Sequence, residues 1–123
     1  MELIDYFKIA AQIVIAVSIY NVWFLRFNKP TIYRGKDAQN MREEFISYGL
    51  PDALVWIVGA LKVVFATMLV IGIYYQPLIF PAAVGMAALM LGAIIMHLKV
   101  KDQPVKSLPA AIFLILSLSV AFL

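Results

Sequence analysis

The sequence predicts an all-α fold: a membrane-spanning up-down bundle of four helices with an amphipathic helix in the first loop. Of the 123 residues, 64% are hydrophobic and 14% are charged, and the mean hydropathy is +0.94. A water-soluble chain of this size could not bury so much apolar surface. The apolar residues also form four segments close to the ~20 residues that a helix needs to cross a bilayer. We therefore interpret residues 1–123 as a single four-span transmembrane domain.

The first predicted span covers residues 9–27, and its apolar pattern allows an upstream extension to Leu3. Gln12 and Asn21 lie on opposite sides of this helix, because nine positions at ~100° per residue amount to about half a turn. Each amide is expected either to form an interhelical hydrogen bond or to contact a ligand. The span ends at an interface that Trp23 marks with its indole ring.

The polar loop 28–52 follows and contains a predicted helix at residues 37–48. Asp37 is the expected N-cap, and Gly49 is the expected stop. Met41, Phe45 and Tyr48 form an apolar stripe along one side. The pattern fits an amphipathic helix on the membrane surface or a solvated loop helix, and both alternatives stay open.

Residues 53–74 and 78–98 form the second and third predicted spans. No Asp, Glu, Lys or Arg occurs between residues 63 and 98. Trp56 is expected to anchor the second span at the same interface as Trp23. Ala88 and Gly92 make a small-xxx-small pair, which places the third span at the centre of the bundle. The fourth span covers residues 107–123.

The distribution of cations predicts the orientation. The side that carries loops 28–52 and 99–106 has eight Lys or Arg residues including Arg26, whereas the opposite side has only Lys8. The positive-inside rule places both loops in the cytoplasm and both termini outside. The net charge of +3 is thus explained by topology and anionic lipid, and nucleic acid is not an expected partner.

Lys62 is the residue that most needs an explanation. It lies about 13 Å into its span at ~1.5 Å per residue, and a lysine at that depth costs a few kcal/mol without a partner or water. It could reach the inner surface and pair with Glu43 or Glu44. Alternatively, it lines a cytoplasm-facing pocket and holds an acidic or carbonyl-bearing head group.

His97 lies at the inner end of the third span, on the side toward which Lys62 points. It is expected to form a structural hydrogen bond or to act in a pocket or proton relay. With no cysteine in the chain and no carboxylate within a span, a metal is not expected. We predict Lys62, His97, Asn21, Glu43 and Glu44 as ligand-binding residues. No catalytic constellation can be assembled, so the sequence favours a non-catalytic protein.

Three motifs suggest a family. They are YGLP at residues 48–51, VGALKV at 58–63 and PAAVGMAALMLGA at 81–93, followed by His97. This succession resembles the DoxX-like family of small bacterial four-helix membrane proteins. The resemblance implies a four-span bundle in a bacterial inner membrane, with the histidine closing the third span as a family feature.

The resemblance implies less about activity. Family members are associated with membrane oxidoreductase assemblies, including a quinone-linked thiosulfate-oxidising system, and distant animal relatives act as membrane chaperones or cargo receptors. Many relatives carry a glutamate at the position of Lys62, whereas related subgroups accept lysine, so the charge here is reversed relative to the glutamate-bearing members. This reversal argues against a role that depends on a carboxylate.

The function we predict is that of an accessory membrane subunit that binds a lipid-like or quinone-like molecule in a cytoplasm-facing pocket. Membrane lipid and another membrane protein or a second copy of the chain are the expected partners. A scaffold or chaperone-like protein that acts through helix association is the alternative. A small oligomeric transporter or channel is the third hypothesis.

Overall fold

The computed structural model describes residues 2–123, which fold into five α-helices joined by short turns and loops. The helices are α1 (Leu3–Tyr20), α2 (Met41–Ser47), α3 (Asp52–Ile71), α4 (Ile79–Lys99) and α5 (Leu108–Phe122). No β-strand occurs within the described residues. The predicted all-α fold is confirmed.

Four helical segments are long and apolar enough to cross a membrane. They are Leu3–Leu25, Asp52–Ile71, Gln76–Lys99 and Pro104–Phe122. The first begins at the upstream extension that the sequence allowed. The second ends three residues before the predicted residue 74, because the chain turns at Gly72 ahead of the short 3₁₀ turn that contains Pro77.

The four long helices form a ring in which α1 contacts α3 and α5, and α4 contacts α3 and α5. Consecutive long helices are antiparallel. The connections 26–51 and 99–107 therefore share one end of the bundle, which we call the loop end, and the chain termini share the other, which we call the terminal end. Within this ring, α4 packs against α3 and α5 and contributes more buried residues than any other long helix.

Side chains of small volume allow the helices of the ring to pack closely. On α4, a Cβ added to Gly85 would lie 2.5 Å from Cζ of Phe65 on α3, so the glycine makes room for that ring. The core between the helices contains fully buried residues from each long helix. Many large apolar side chains face outward instead, among them Phe24 at 66% exposure and Ile115 at 64%. An outward apolar surface is what lipid requires of a spanning bundle.

Gln12 and Asn21 have different roles. The Gln12 amide is buried and donates a 2.7 Å hydrogen bond to the carbonyl oxygen of Leu69. This carbonyl belongs to the last turn of α3, where backbone acceptors have no partner within the helix. The predicted interhelical bond of Gln12 is thus confirmed. The Asn21 side chain forms no hydrogen bond with any described residue.

A single turn of π-helix, Asn21–Leu25, extends α1. The N–H of Arg26 donates to the carbonyl oxygen of Asn21 at 2.9 Å, five residues back. Such a turn holds an extra residue relative to an α-helix, and here Trp23 faces inward. Trp23 is only 8% exposed. Its ring packs against Gly59, where an added Cβ would lie 2.5 Å from Cζ3 of the indole. The prediction that Trp23 anchors the interface is wrong.

The helix in the first loop is shorter than the sequence suggested. Asn40, not Asp37, is its N-cap, and the Asn40 side chain accepts the backbone N–H of Glu43 at 2.9 Å. Asp37 has φ +58° and belongs to a 3₁₀ turn, so it cannot adopt the extended conformation of an N-cap. The predicted stripe is buried, and Gly49 ends the helix with φ +78°.

Candidate ligand-binding site

A cavity of about 600 Å³ lies between the helices at the loop end. Its walls come from the end of α1, the loop helix α2, and the loop-end halves of α3, α4 and α5. The apolar part of the wall includes Val22, Val58, Ala88, Leu89, Gly92, Ala93, Met96 and Ala110. The polar part includes Asn21, Arg26, Arg34, Glu44, Tyr48, Lys62, His97 and Lys106.

The small residues of α4 create this space. A Cβ added to Gly92 would meet no atom within 4 Å, and Ala88 lines the same wall. No side chain of a neighbouring helix packs against Gly92, and the part of α3 that lines the same cavity carries Val58 and Lys62.

Lys62 presents its ammonium to the cavity without a protein acceptor. It is half-buried and forms no hydrogen bond or ion pair with any residue in 2–123. Its nearest distinctive neighbour is the ring of Trp23, whose centroid lies 5.7 Å from Nζ. A cation–π contact contributes about 0.5–2 kcal/mol, but it accepts no conventional hydrogen bond. The proposed pairing of Lys62 with Glu43 or Glu44 does not occur.

Glu44 is instead paired with Arg34. The two side chains are 4% and 13% exposed and form a 3.0 Å salt bridge. Arg34 also donates to the carbonyl oxygens of Lys29 at 2.9 Å and Arg26 at 2.6 Å. Since all these acceptors lie on the first loop, α2 or the end of α1, Arg34 fixes the loop across the mouth of the bundle.

Tyr48 connects this ion pair to His97. Its hydroxyl donates to Oε1 of Glu44 at 2.7 Å and lies 3.4 Å from Nε2 of His97. His97 Nδ1 is 2.8 Å from Oδ2 of Asp102. The other carboxylate oxygen of Asp102 accepts the backbone N–H of Lys36 at 3.0 Å. Polar side chains therefore adjoin one another from Glu44 to Asp102, with hydrogen bonds from Tyr48 to Glu44 and from His97 to Asp102.

The charge states of two of these side chains follow from their surroundings. Burial raises the pKa of Tyr48, and the nearby negative charge of Glu44 raises it further, so the hydroxyl stays protonated. For Asp102, burial acts to raise the pKa, but hydrogen bonds from His97 and Lys36 lower it below its usual value. Because the carboxylate can only accept, Nδ1 of His97 carries the proton between them.

Two lysines join the loops at this end. Lys106 donates to the carbonyl oxygen of Arg34 at 2.6 Å and to Oδ1 of Asp37 at 3.1 Å. Lys99 donates to the carbonyl oxygen of Tyr48 at 2.9 Å. Together with Asp102, they tie the connection between α4 and α5 to the first loop and close the polar side of the cavity.

Four of the five predicted ligand-binding residues line this one cavity, namely Asn21, Glu44, Lys62 and His97. Glu43 does not, because it lies on the exposed side of α2 and accepts the N–H of Gln39 at 2.8 Å. Four further polar residues that the sequence-based prediction did not assign to the site also line the cavity, namely Arg26, Arg34, Tyr48 and Lys106. Tyr48 was assigned only to an apolar stripe, and nothing in the sequence placed Asp102 beside His97.

Four antiparallel helices of membrane-spanning length, with apolar side chains turned outward, define a small multi-pass integral membrane protein. A family model described as the DoxX-like family matches residues 31–120, which is most of the chain. The protein therefore belongs to the DoxX-like family, as its motifs suggested. No curated protein and no solved structure matches the chain.

Proposed function

We propose that this protein is an accessory membrane subunit that binds a lipid-like molecule, such as a quinone, in the cavity at the loop end. One observation carries the proposal. The ammonium of Lys62 faces a cavity of about 600 Å³ with mainly apolar walls, and no described residue accepts a hydrogen bond from it. Small-molecule sites typically occupy ~300–1,000 Å³ and combine apolar walls with a few polar groups.

The two kinds of wall match the two parts of an amphiphile. An oxygen on the head group would satisfy the Lys62 ammonium, which is costly to leave unpaired in apolar surroundings. The chain of the amphiphile would contact Val58, Leu89 and Ala93, which line the adjoining wall. Apolar contact contributes roughly 25 cal/mol per Å² removed from water, so both parts favour binding.

Retention of lipid by the purified protein tests the proposal. Wild type, Lys62→Met and Gly92→Leu are purified in the same mild detergent, and extracted small molecules are quantified by mass spectrometry. Lys62→Met removes the head-group contact, and Gly92→Leu fills the space for the chain. Both variants should retain several-fold less of one amphiphile than wild type.

Lys101→Met is the matched control, because Lys101 is exposed in the loop and does not line the cavity. It should retain the wild-type amount. Equal retention by wild type, Lys62→Met and Gly92→Leu would contradict the proposal. The mass and ultraviolet spectrum of the retained species distinguish a quinone from other lipids.

The proposal includes an orientation with the loop end in the cytoplasm of a bacterial cell. The cation-rich loops support it through the positive-inside rule. Since the chain has no cysteine, single-cysteine variants can be labelled without background. An impermeant maleimide should label Tyr74→Cys in intact spheroplasts and should label Lys101→Cys only after permeabilisation. The reverse pattern would contradict this orientation.

A partner is also part of the proposal, either another membrane protein or a second copy of the chain. Chemical crosslinking in membranes, followed by mass spectrometry, would identify it. For the scaffold alternative, a specific stoichiometric partner with no bound ligand would favour assembly through helix association.

A further inference from the structure

We infer that the ligand of this cavity is a single-chain anionic amphiphile, with a carboxylate or a phosphate as its head group. The inference rests on the proposed function and names the ligand class of the same cavity. It excludes a neutral quinone as the preferred ligand. Three features of the cavity support it: the charges at its wall, the surroundings of Lys62 and the size of the space.

The acidic charge at the cavity wall is already compensated. Glu44 lines the cavity, but Arg34 holds its carboxylate in a 3.0 Å salt bridge and Tyr48 donates to it at 2.7 Å. Lys106 is also satisfied, with Asp37 at 3.1 Å and the carbonyl oxygen of Arg34 at 2.6 Å. Asp102, the other buried carboxylate at the loop end, is also engaged, since it accepts from His97 at 2.8 Å and from the backbone N–H of Lys36 at 3.0 Å.

Two cations at the wall have no such compensation. Within residues 2–123, the side chains of Lys62 and Arg26 form no ion pair. Arg26 is exposed at the rim, whereas Lys62 is half-buried beside the Trp23 ring. Both belong to the lining of the same cavity. Among the described residues, the positive charge of Lys62 therefore has no anionic partner within ion-pair distance.

A neutral head group would supply only part of what Lys62 needs. A carbonyl oxygen can accept one of the three ammonium hydrogens, but the net charge stays uncompensated among apolar residues. A carboxylate or phosphate provides both the acceptors and the opposite charge. Hydrogen bonds between ionised partners are also roughly twice as strong as neutral ones.

The space favours one chain. The apolar wall near Lys62 comes from α3 and α4 and includes Val58, Leu89 and Gly92. The space beside Gly92 is open, because a Cβ there would meet no atom within 4 Å. The whole cavity measures about 600 Å³, within the ~300–1,000 Å³ typical of a site for one small molecule, so one acyl chain suits it better than the two chains of a phospholipid.

Binding of defined probes tests the inference. Oleate, oleoyl lysophosphatidate and oleyl alcohol share one chain and differ in head-group charge, and a short-chain ubiquinone serves as the neutral quinone. Each is titrated into the full-length protein in a non-ionic detergent. A Trp56→Phe background leaves Trp23 as the only tryptophan, so its fluorescence reports binding beside Lys62.

We expect both anions to bind roughly ten- to a hundredfold more tightly than oleyl alcohol or the quinone, which is the difference that a hydrogen bond to a charged group provides. Lys62→Met should bring their affinity down to that of the alcohol. Lys62→Arg should preserve most of it, and Lys101→Met should not change it. The stronger of the two anions identifies the head group.

Other outcomes separate the two proposals. If oleyl alcohol or the quinone binds wild type as tightly as oleate, and Lys62→Met changes nothing, the inferred charge is wrong while the cavity remains a lipid site. If no probe binds, or if Gly92→Leu leaves the binding of every probe unchanged, the proposed function itself fails. Circular dichroism of each variant verifies that the helices are intact.

Discussion

Gly85 and Gly92 of α4 are two helical turns apart and lie on nearly the same face, yet their surroundings differ completely. The ring of Phe65 fills the space beside Gly85, and a Cβ there would lie 2.5 Å from its Cζ. Beside Gly92 nothing lies within 4 Å. One glycine thus permits close packing, and the other leaves the cavity open.

Substitution by alanine should therefore have opposite effects at these two positions. Gly92→Ala should stabilise the protein by about 0.5–1 kcal/mol, because alanine loses less entropy than glycine in a helix and meets no neighbour. Gly85→Ala should destabilise it by about 1–3 kcal/mol, because the added methyl overpacks against Phe65. Thermal unfolding in detergent, followed by circular dichroism, measures both.

Each variant is the control of the other, since both make the same chemical change in the same helix. A shift of the same sign at both positions would contradict the assignment of the cavity to the Gly92 side of α4. At the residue scale, the sequence identified the small residues but not their roles. A glycine that makes room for an aromatic ring and a glycine beside an empty space cannot be distinguished in the sequence. The difference depends on which residues of the neighbouring helices lie next to each glycine.

At the scale of elements, the residue at which α2 begins depends on which of two possible N-cap residues has an extended backbone. Asp37 and Asn40 are both residue types that cap helices. The backbone of Asn40 is extended, with φ −158° and ψ 175°, and its side chain bonds to Glu43. Asp37 instead occupies a left-handed conformation and pairs with Lys106.

Asn40→Ala should destabilise α2 by about 0.5–2 kcal/mol, which is the usual cost of losing an N-cap. Amide hydrogen exchange of residues 41–47 should become faster as a result. Asp37→Gly removes the other possible cap while tolerating the positive φ, and it should leave exchange in α2 nearly unchanged. Faster exchange in Asp37→Gly than in Asn40→Ala would restore the longer helix that the sequence suggested.

The long helices were predictable because bilayer thickness imposes their length on the sequence. The ends of these helices were less predictable, because they depend on local backbone conformation. Hydropathy does not indicate the π turn that begins at Asn21 or the end of α3 at Gly72. The same holds for the site. Lys62 and His97 were recognisable as polar groups in apolar helices, but Arg34 and Asp102 come from loops whose positions depend on contacts far along the chain.

On the scale of the whole molecule, the loop end is one interlocked polar layer over an apolar bundle. Asp102 is at its centre, since it holds His97 of α4 at 2.8 Å and the backbone of the first loop at 3.0 Å. Gly35 permits this approach, because a Cβ there would lie 2.6 Å from the Tyr48 ring and 3.0 Å from Oδ2 of Asp102. Two loops that are distant in sequence are thus joined through one carboxylate.

This arrangement predicts how stability depends on pH. Despite burial, the pKa of Asp102 is lower in the folded protein than its ordinary value of ~3.9, because His97 and Lys36 donate to the carboxylate. A group with a depressed pKa stabilises the fold above its unfolded pKa, and this contribution is lost as the pH falls through the folded pKa. The Asp102 contribution should therefore be complete at neutral pH and should decline below about pH 4.

Asp102→Asn tests this expectation, because it keeps the shape of the side chain and removes the charge. At pH 7 the variant should be less stable than wild type by about 1.5–3 kcal/mol, the range for hydrogen bonds to a charged group. As the pH falls from 4 toward 2.5, the difference should shrink, because protonation removes the same charge from wild type. Thermal unfolding across this range measures the difference. Asp52→Asn is the control, because Asp52 belongs to an exposed ion pair with Arg42. If the stability difference between Asp102→Asn and wild type stays constant across this pH range, the charge of the carboxylate does not contribute to joining the loops.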